Sequence, residues 1–246
     1  MSLRITTLAE RPEFAESLWG MDTAWPEFML NDPIADFFYA VATTHYADYV
    51  LVADDSDEPG RMVARGCMIP FTSRDGELPE DGWDAVIRRG WLTRDGGRTP
   101  DAVSALEITI RKDLLGSGLS GHMVAAMRAR AAALGYSELL APVRPSQKHL
   151  EPHTPATEYA FRTRADGLPY DAWLRVHVRA GAKVVKVAHR SMTISGTLGE
   201  WREWTGLPFD ADGPVEVPGA LVPVHCDVTH DHAVYVEPNI WVRHSL

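Results

Sequence analysis

The chain has 246 residues, of which 45% are hydrophobic and 24% charged. That is enough to bury a sizeable core and excludes a disordered tail. A formal net charge of −10 with no Lys/Arg cluster excludes a nucleic-acid binder and suits a cationic or amine-bearing partner.

The start, Met1 to Thr6, lacks the apolar core of a signal peptide. No run of about 18 apolar residues is present to span a membrane, so no membrane role and a cytoplasmic location are expected. Spacing of Phe14 and Leu18, and then of Ile34, Phe37, Phe38 and Val41, predicts helices over 13–20 and 34–46. Residues 49–53 and 61–70 read as strands, and the acidic run 54–60 between them reads as a solvated hairpin turn. Cys67, in the second of these strands, stands far from Cys226, and no metal or redox spacing results, which suits a reducing compartment. Residues 73–100 are rich in Gly, Asp and Pro, yet Trp83, Ile87 and Trp91 fall at helical spacing, which predicts an inserted helix.

Next comes an apolar strand containing Val103, Ala105, Leu106, Ile108 and Ile110, then Leu115-Gly116-Ser117-Gly118-Leu119-Ser120, then a helix over 122–134. Glycines let such a turn approach a ligand closely, and the first helical turn leaves amide N–H groups free. Those donors and the positive end of the helix dipole favour a pyrophosphate. A P-loop is excluded because His122, not lysine, follows Gly121. Gly118-Leu119-Ser120-Gly121 lacks the later acidic residue of a dinucleotide site, and its second glycine comes one residue early for a nucleophile elbow. Met123, Val124, Met127 and Leu134 are read as the core face of the helix, not as a metal box.

Beyond it lies a strand over 139–143 ending in Arg144-Pro145-Ser146-Gln147. A proline- and aromatic-bearing insertion, 148–172, is read as a lid over the acceptor or as plain packing. Trp173 to Ala182 reads as a helix ending at Gly181. Two strands around 184–187 and 191–194, a helix over 198–204 and a hairpin joining 220–228 to 233–236 complete the chain.

In this order the motifs resemble the acyl-CoA N-acyltransferases of the GNAT superfamily. Leu115 to Ser120 is similar to that family's Arg/Gln-x-x-Gly-x-Gly/Ala turn. Gly118 is retained, while Leu115 and Ser120 depart from the pattern. Gln147 stands where the family often has a pantetheine-contacting Asn, and His177 stands where a tyrosine protonates the departing thiolate. The resemblance implies an α+β fold with a mixed, mostly antiparallel central sheet, opened between its fourth and fifth strands to admit acyl-CoA. It implies a GNAT-like domain over 1–190, with insertions about 73–100 and 148–172, and a C-terminal extension, 191–246, packed on it. The helix of the first insertion then covers one side of the acceptor cleft.

The implied activity is transfer of an acetyl group from acetyl-CoA, or another acyl group from its CoA ester, to an amine of a small molecule or protein. The implied donor contacts are Ile108, Ile110, Leu115, Gly116, Ser117, Gly118, Leu119, Ser120 and Gln147. Strand alternation sets Glu107 and Thr109 opposite Leu106, Ile108 and Ile110, so Glu107 is the candidate base, or else an ion-paired glutamate. His177 is the candidate acid, or else a packing residue, because imidazole exchanges protons near neutral pH. His225, Cys226, His230 and His232 match no structural zinc spacing, and no metal is expected. A homodimer is compatible with this reading. The alternative function is a non-catalytic module that binds CoA or a metabolite as a sensor or scaffold.

Overall fold

The computed structural model describes residues 3–22, 25–58 and 60–246. Readings that touch Met1, Ser2 or Pro59 therefore lie partly outside the described residues. Nine strands form one sheet: β1 (Leu3–Thr7), β2 (Val50–Asp55), β3 (Met62–Phe71), β4 (Ala102–Ile110), β5 (Glu138–Val143), β6 (Lys183–Gly196), β7 (Gly213–Val215), β8 (Val224–Asp227) and β9 (His232–Ser245). The order is β1-β2-β3-β4-β5-β9-β8-β7, with β6 also paired to β9. Every ladder is antiparallel except β4 with β5, which is parallel and has a single register pair, Ser104 with Leu140. Past that pair the two strands part, and the sheet opens.

Helices cover both faces, so β3 is buried along its whole length. On one face α4 (Leu119–Ala133) sets Met123, Met127 and Ala131 against Val63, Val103 and Leu139. On the other lie α1 (Asp36–Tyr39), α2 (Ala42–His45), α3 (Gly82–Asp95) and the N-terminal segment. A Cβ on Gly90 would sit 2.4 Å from Ile69, so α3 can lie this close to β3 only with glycine there. After β5 come α5 (Ala156–Ala160), α6 (Ala172–Arg179) and, beyond β6, α7 (Leu198–Thr205). Asp171 caps α6 and a Thr197/Glu200 capping box starts α7.

Several sequence expectations change. The helix expected over 13–20 is only a 3₁₀ turn at Pro12–Phe14, and the one over 34–46 is broken into α1 and α2. Asp54 is no solvated turn residue: it is buried in β2 and ion-paired with Arg4 at 2.5 Å. The two strands expected at 184–187 and 191–194 are one strand, β6, irregular between Ala188 and Met192. The boundary expected at 190 therefore falls inside a strand. The segment expected as an appended extension supplies β9, which lies between β5 and β8 in the middle of the sheet.

β4 carries a bulge. Cys67 pairs with Glu107 and Met68 with Ala105, so Leu106 is the extra residue. Val103, Ala105, Ile108 and Ile110 then face α4, while Leu106 packs on the opposite face. This corrects the expectation that Leu106 shares a face with Ile108 and Ile110. The bulge shifts the alternation by one residue.

Candidate active site

A cavity of about 820 Å³ fills the opening between β4 and β5 and reaches both faces of the sheet. On the α4 face it is lined by Ile108, Ile110, Leu115, Ser120 and Val124. Ser120 belongs to the glycine turn, where Gly116 has φ +80° and Gly118 φ +87°. Among the described residues, the amides of Gly116, Gly118, Leu119 and Ser120 donate to no acceptor. These are the unpaired donors that the first turn of a helix leaves. Gly116, Ser117, Gly118 and Leu119 form this turn at the rim without lining the cavity: the Ser117 hydroxyl donates to the Leu114 carbonyl at 2.6 Å, and the Leu119 side chain is buried with Met123.

Gln147 is not in the cavity wall. Its side chain is exposed and its amide donates to Asp171 Oδ2 at 2.9 Å. Asp171 also accepts from the Tyr159 hydroxyl at 3.0 Å and from the amides of Trp173 and Leu174. This hub turns Gln147 outward and leaves Arg144 and Ser146 on the wall at that end. The same bonds hold the insertion 148–172 down, and of its residues Ala172, the first of α6, lines the cavity, which fits packing rather than a lid. The 73–100 insertion does supply a wall, through Trp83 of α3, whose Nε1 donates to the Leu106 carbonyl at 3.1 Å.

On the face away from α4 the lining is aromatic: Trp19, Trp25, Tyr39 and Trp83. The ring of Tyr39 meets that of Trp19 edge to face at 5.1 Å and stacks at 6.4 Å from that of Trp83. Glu107 lies among them. Its Oε1 accepts from Arg65 Nε at 2.8 Å and from Cys67 Sγ at 3.5 Å. Its Oε2 takes a longer contact, 3.4 Å from Thr109. Oε2 is thus the more loosely held oxygen, and the Tyr39 hydroxyl also hydrogen-bonds this carboxylate. Arg65 is fixed in turn by the Leu18 carbonyl, at 2.8 Å, and lies 4.8 Å over the Trp19 ring. Burial pushes the Tyr39 phenol far above its ordinary range, and Glu107 adds to the rise, so Tyr39 remains a donor.

His177 of α6 lines the cavity and is 4% exposed, its ring 4.5 Å from that of Trp173. Its Nδ1 lies 3.0 Å from Nε2 of His244, near the end of β9. Burial pushes His177 down to about 3, and the neighbouring His244 adds to the fall. At neutral pH the ring is uncharged. Its other nitrogen, Nε2, is buried and has no hydrogen-bond partner among the described residues.

Sequence reasoning missed Arg65, Tyr39, the tryptophans and His244. Arg65 is two residues before Cys67, and the β3–β4 register would have found it. Among the described residues, no group of three His, Cys, Asp or Glu stands close enough to hold a metal, and no helix is long and apolar enough to cross a membrane.

No family model matches the chain. It is, however, 31% identical over 271 residues to the arginine N-acetyltransferase avaD of Aspergillus versicolor, covering 98% of this chain and 93% of that one. The chain belongs to the GNAT superfamily. This GNAT protein is thus an N-acetyltransferase. Its fold is shared with the loading GNATL domain of CurA from Lyngbya majuscula: TM-score 0.60, 13% identity, 100% of this chain and 98% of that one. It is shared also with the GphF GNAT-like decarboxylase in complex with isobutyryl-CoA: TM-score 0.57, 16% identity, 100% and 99%. At these identities the two structures speak for the fold alone.

Proposed function

We propose that this GNAT enzyme transfers an acetyl group from acetyl-CoA to a nitrogen of a cationic small molecule, a guanidinium or ammonium compound of the arginine type. The observation that carries this reading is the aromatic lining of the cavity, to which Trp19, Trp25, Tyr39 and Trp83 contribute together with Glu107. Aromatic faces and a carboxylate hold a cation well in a partly desolvated site. The kinship with an arginine N-acetyltransferase supports the same acceptor class.

Acetyl-CoA supplies the activated acyl group, and the chain's own residues do the rest. The free amides of Gly116, Gly118, Leu119 and Ser120 hold the pyrophosphate, and Ile108, Ile110 and Val124 flank the pantetheine. Glu107 Oε2 takes the proton that the acceptor nitrogen must lose before it can attack, directly or through one water.

The test is thiol release from acetyl-CoA in the presence of arginine, agmatine, an arylalkylamine and an uncharged amine. The acetylated product is confirmed by mass. Turnover with arginine or agmatine well above that with the uncharged amine is expected. Turnover confined to the uncharged amine, or tight CoA retention with no turnover, would overturn the proposal.

A further inference from the structure

Glu107 and Arg144 stand on opposite sides of the opening in the sheet. Both lie past the single register pair of β4 with β5, where the strands part, and both line the cavity. They also share a face. Glu107 stands across from Cys67, and Arg144 bonds Glu237, which lies on the same side of β9 as Tyr235. Cys67 and Tyr235 both belong to the core on the side away from α4. The wall on that face therefore has a carboxylate on one strand and a guanidinium just beyond the end of the other.

Arg144 is fixed from behind the wall. Its Nε donates to Glu237 Oε2 at 2.9 Å and its Nη2 to the Gly219 carbonyl at 2.5 Å, while the guanidinium lies 5.7 Å over the Trp25 ring. Glu237 is fully buried and accepts also from the Tyr235 hydroxyl at 2.8 Å and from Asn239 Nδ2 at 2.9 Å. A guanidinium has five N–H donors. Glu237 and the Gly219 carbonyl take one each, and the Tyr235 hydroxyl beside it can take one more. At least two are left over. Nη1 has no hydrogen-bond partner among the described residues and is not sealed in, since the side chain keeps 16% of its surface. Neutralising Glu237 needs neither those spare donors nor a place on the cavity wall. A fork held in one plane with two N–H groups to spare matches a carboxylate.

We propose that Arg144 is a specificity-determining residue that binds the carboxylate of the acceptor, so that the acceptor is an amino acid of the arginine type and not the corresponding decarboxylated amine. This rests on the reading above, in which the acceptor nitrogen meets Glu107. The acceptor then spans the opening, with its reacting nitrogen at β4 and its carboxylate beyond the end of β5. Because Glu237 already balances the charge of Arg144, discrimination comes from the spare N–H donors, which an acceptor without a carboxylate leaves unpaired.

Calorimetric titration in excess CoA compares arginine, argininamide and agmatine, which share the guanidinium and differ at the carboxylate. Arginine is expected to bind at least about tenfold more tightly than either of the others. Agmatine binding as tightly as arginine leaves the acceptor reading standing and overturns this proposal alone. Argininamide binding as tightly as arginine would mean that a carbonyl oxygen is read, and overturns it too. If none of the three binds, the acceptor reading fails and this proposal with it. The double variant Arg144→Met/Glu237→Gln removes the fork without stranding a buried charge, and is expected to bring the arginine-to-agmatine affinity ratio to within about twofold. Arg144→Lys keeps a cation for Glu237 and loses the planar fork, and is expected to lower that ratio at least about threefold. A ratio unchanged in whichever of these folds removes Arg144 from the role.

Discussion

Arg65 of β3 and Glu107 of β4 form an ion pair, Nε to Oε1 at 2.8 Å, in which each side chain is only 7% exposed. The β3–β4 register brings them together, because Glu107 stands directly across from Cys67, two residues from Arg65 on the same face. Oε1 neutralises a buried cation, and Oε2 is held only by the longer contact with Thr109.

Glu107→Gln keeps the shape of the side chain and removes its basicity. It is expected to lower kcat about 100-fold while leaving KM for acetyl-CoA unchanged. Steady-state kinetics with a saturating acceptor checks this, and a kcat within about twofold of wild type would remove Glu107 from the role of base.

Breaking the pair from the other side leaves a buried carboxylate alone. Arg65→Met is expected to cost about 3 kcal/mol of stability, and adding Glu107→Leu should recover most of it. Urea unfolding of the two variants reads this directly, and equal stability of both would show that the pair contributes little.

Gly118 has φ +87° and open space where a side chain would go. A Cβ there meets no protein atom, but Gly118→Trp places a large ring at the mouth of the glycine turn and strains the backbone. Calorimetric titration is expected to show acetyl-CoA binding weakened more than about tenfold, and undiminished affinity would place the pyrophosphate elsewhere.

Trp19→Ala removes an aromatic face from the acceptor end and nothing from the donor end. KM for a cationic acceptor is expected to rise about fivefold, with KM for acetyl-CoA constant. A parallel rise in both constants would mean that Trp19 only shapes the fold.

A second buried pair, Asp32 and Asp84, lies outside the site. Burial pushes Asp84 up to about 8, and the charge of Asp32 adds to it. Burial also raises Asp32, to about 6. A carboxyl whose folded value lies above its unfolded one binds its proton more tightly in the fold. Its stabilisation is fully present below about pH 4 and is lost as pH rises towards 8. Asp84→Asn is expected to raise Tm at pH 8 and change it little at pH 4, as read by thermal scans across that range. A Tm difference independent of pH would exclude this linkage.

Local signals made much of the frame legible. The glycine turn, the tryptophan-spaced α3, the methionine face of α4 and the strand before Arg144 were each readable within a few residues, because period and backbone freedom are written in the side chains concerned. What could not be read depends on distant partners. A bulge has no residue signature, so the true face of Leu106 was hidden, although Glu107 does lie on the face opposite Ile108 and Ile110. Arg65 looked like any strand arginine until register set it beside Glu107. Gln147 matched a motif position, but Asp171, far along the chain, turns it to solvent. His244 stood in a histidine-rich stretch that drew attention to metals, and only the course of β9 brings it to His177.

That course also sets an order of assembly. β5 meets β4 at one register pair and is otherwise held by β9, which follows every other strand along the chain. Until β9 docks, β5 has an unpaired edge and half of the cleft has no wall. The glycine turn and the β1–β4 meander can form from neighbouring segments, whereas the donor channel waits for the most distant pairing in the sheet. Refolding should therefore show early burial of β2, β3 and α4, followed by a slower phase in which binding competence appears. Between the two, the exposed β5 edge is the place where one chain can pair wrongly with another.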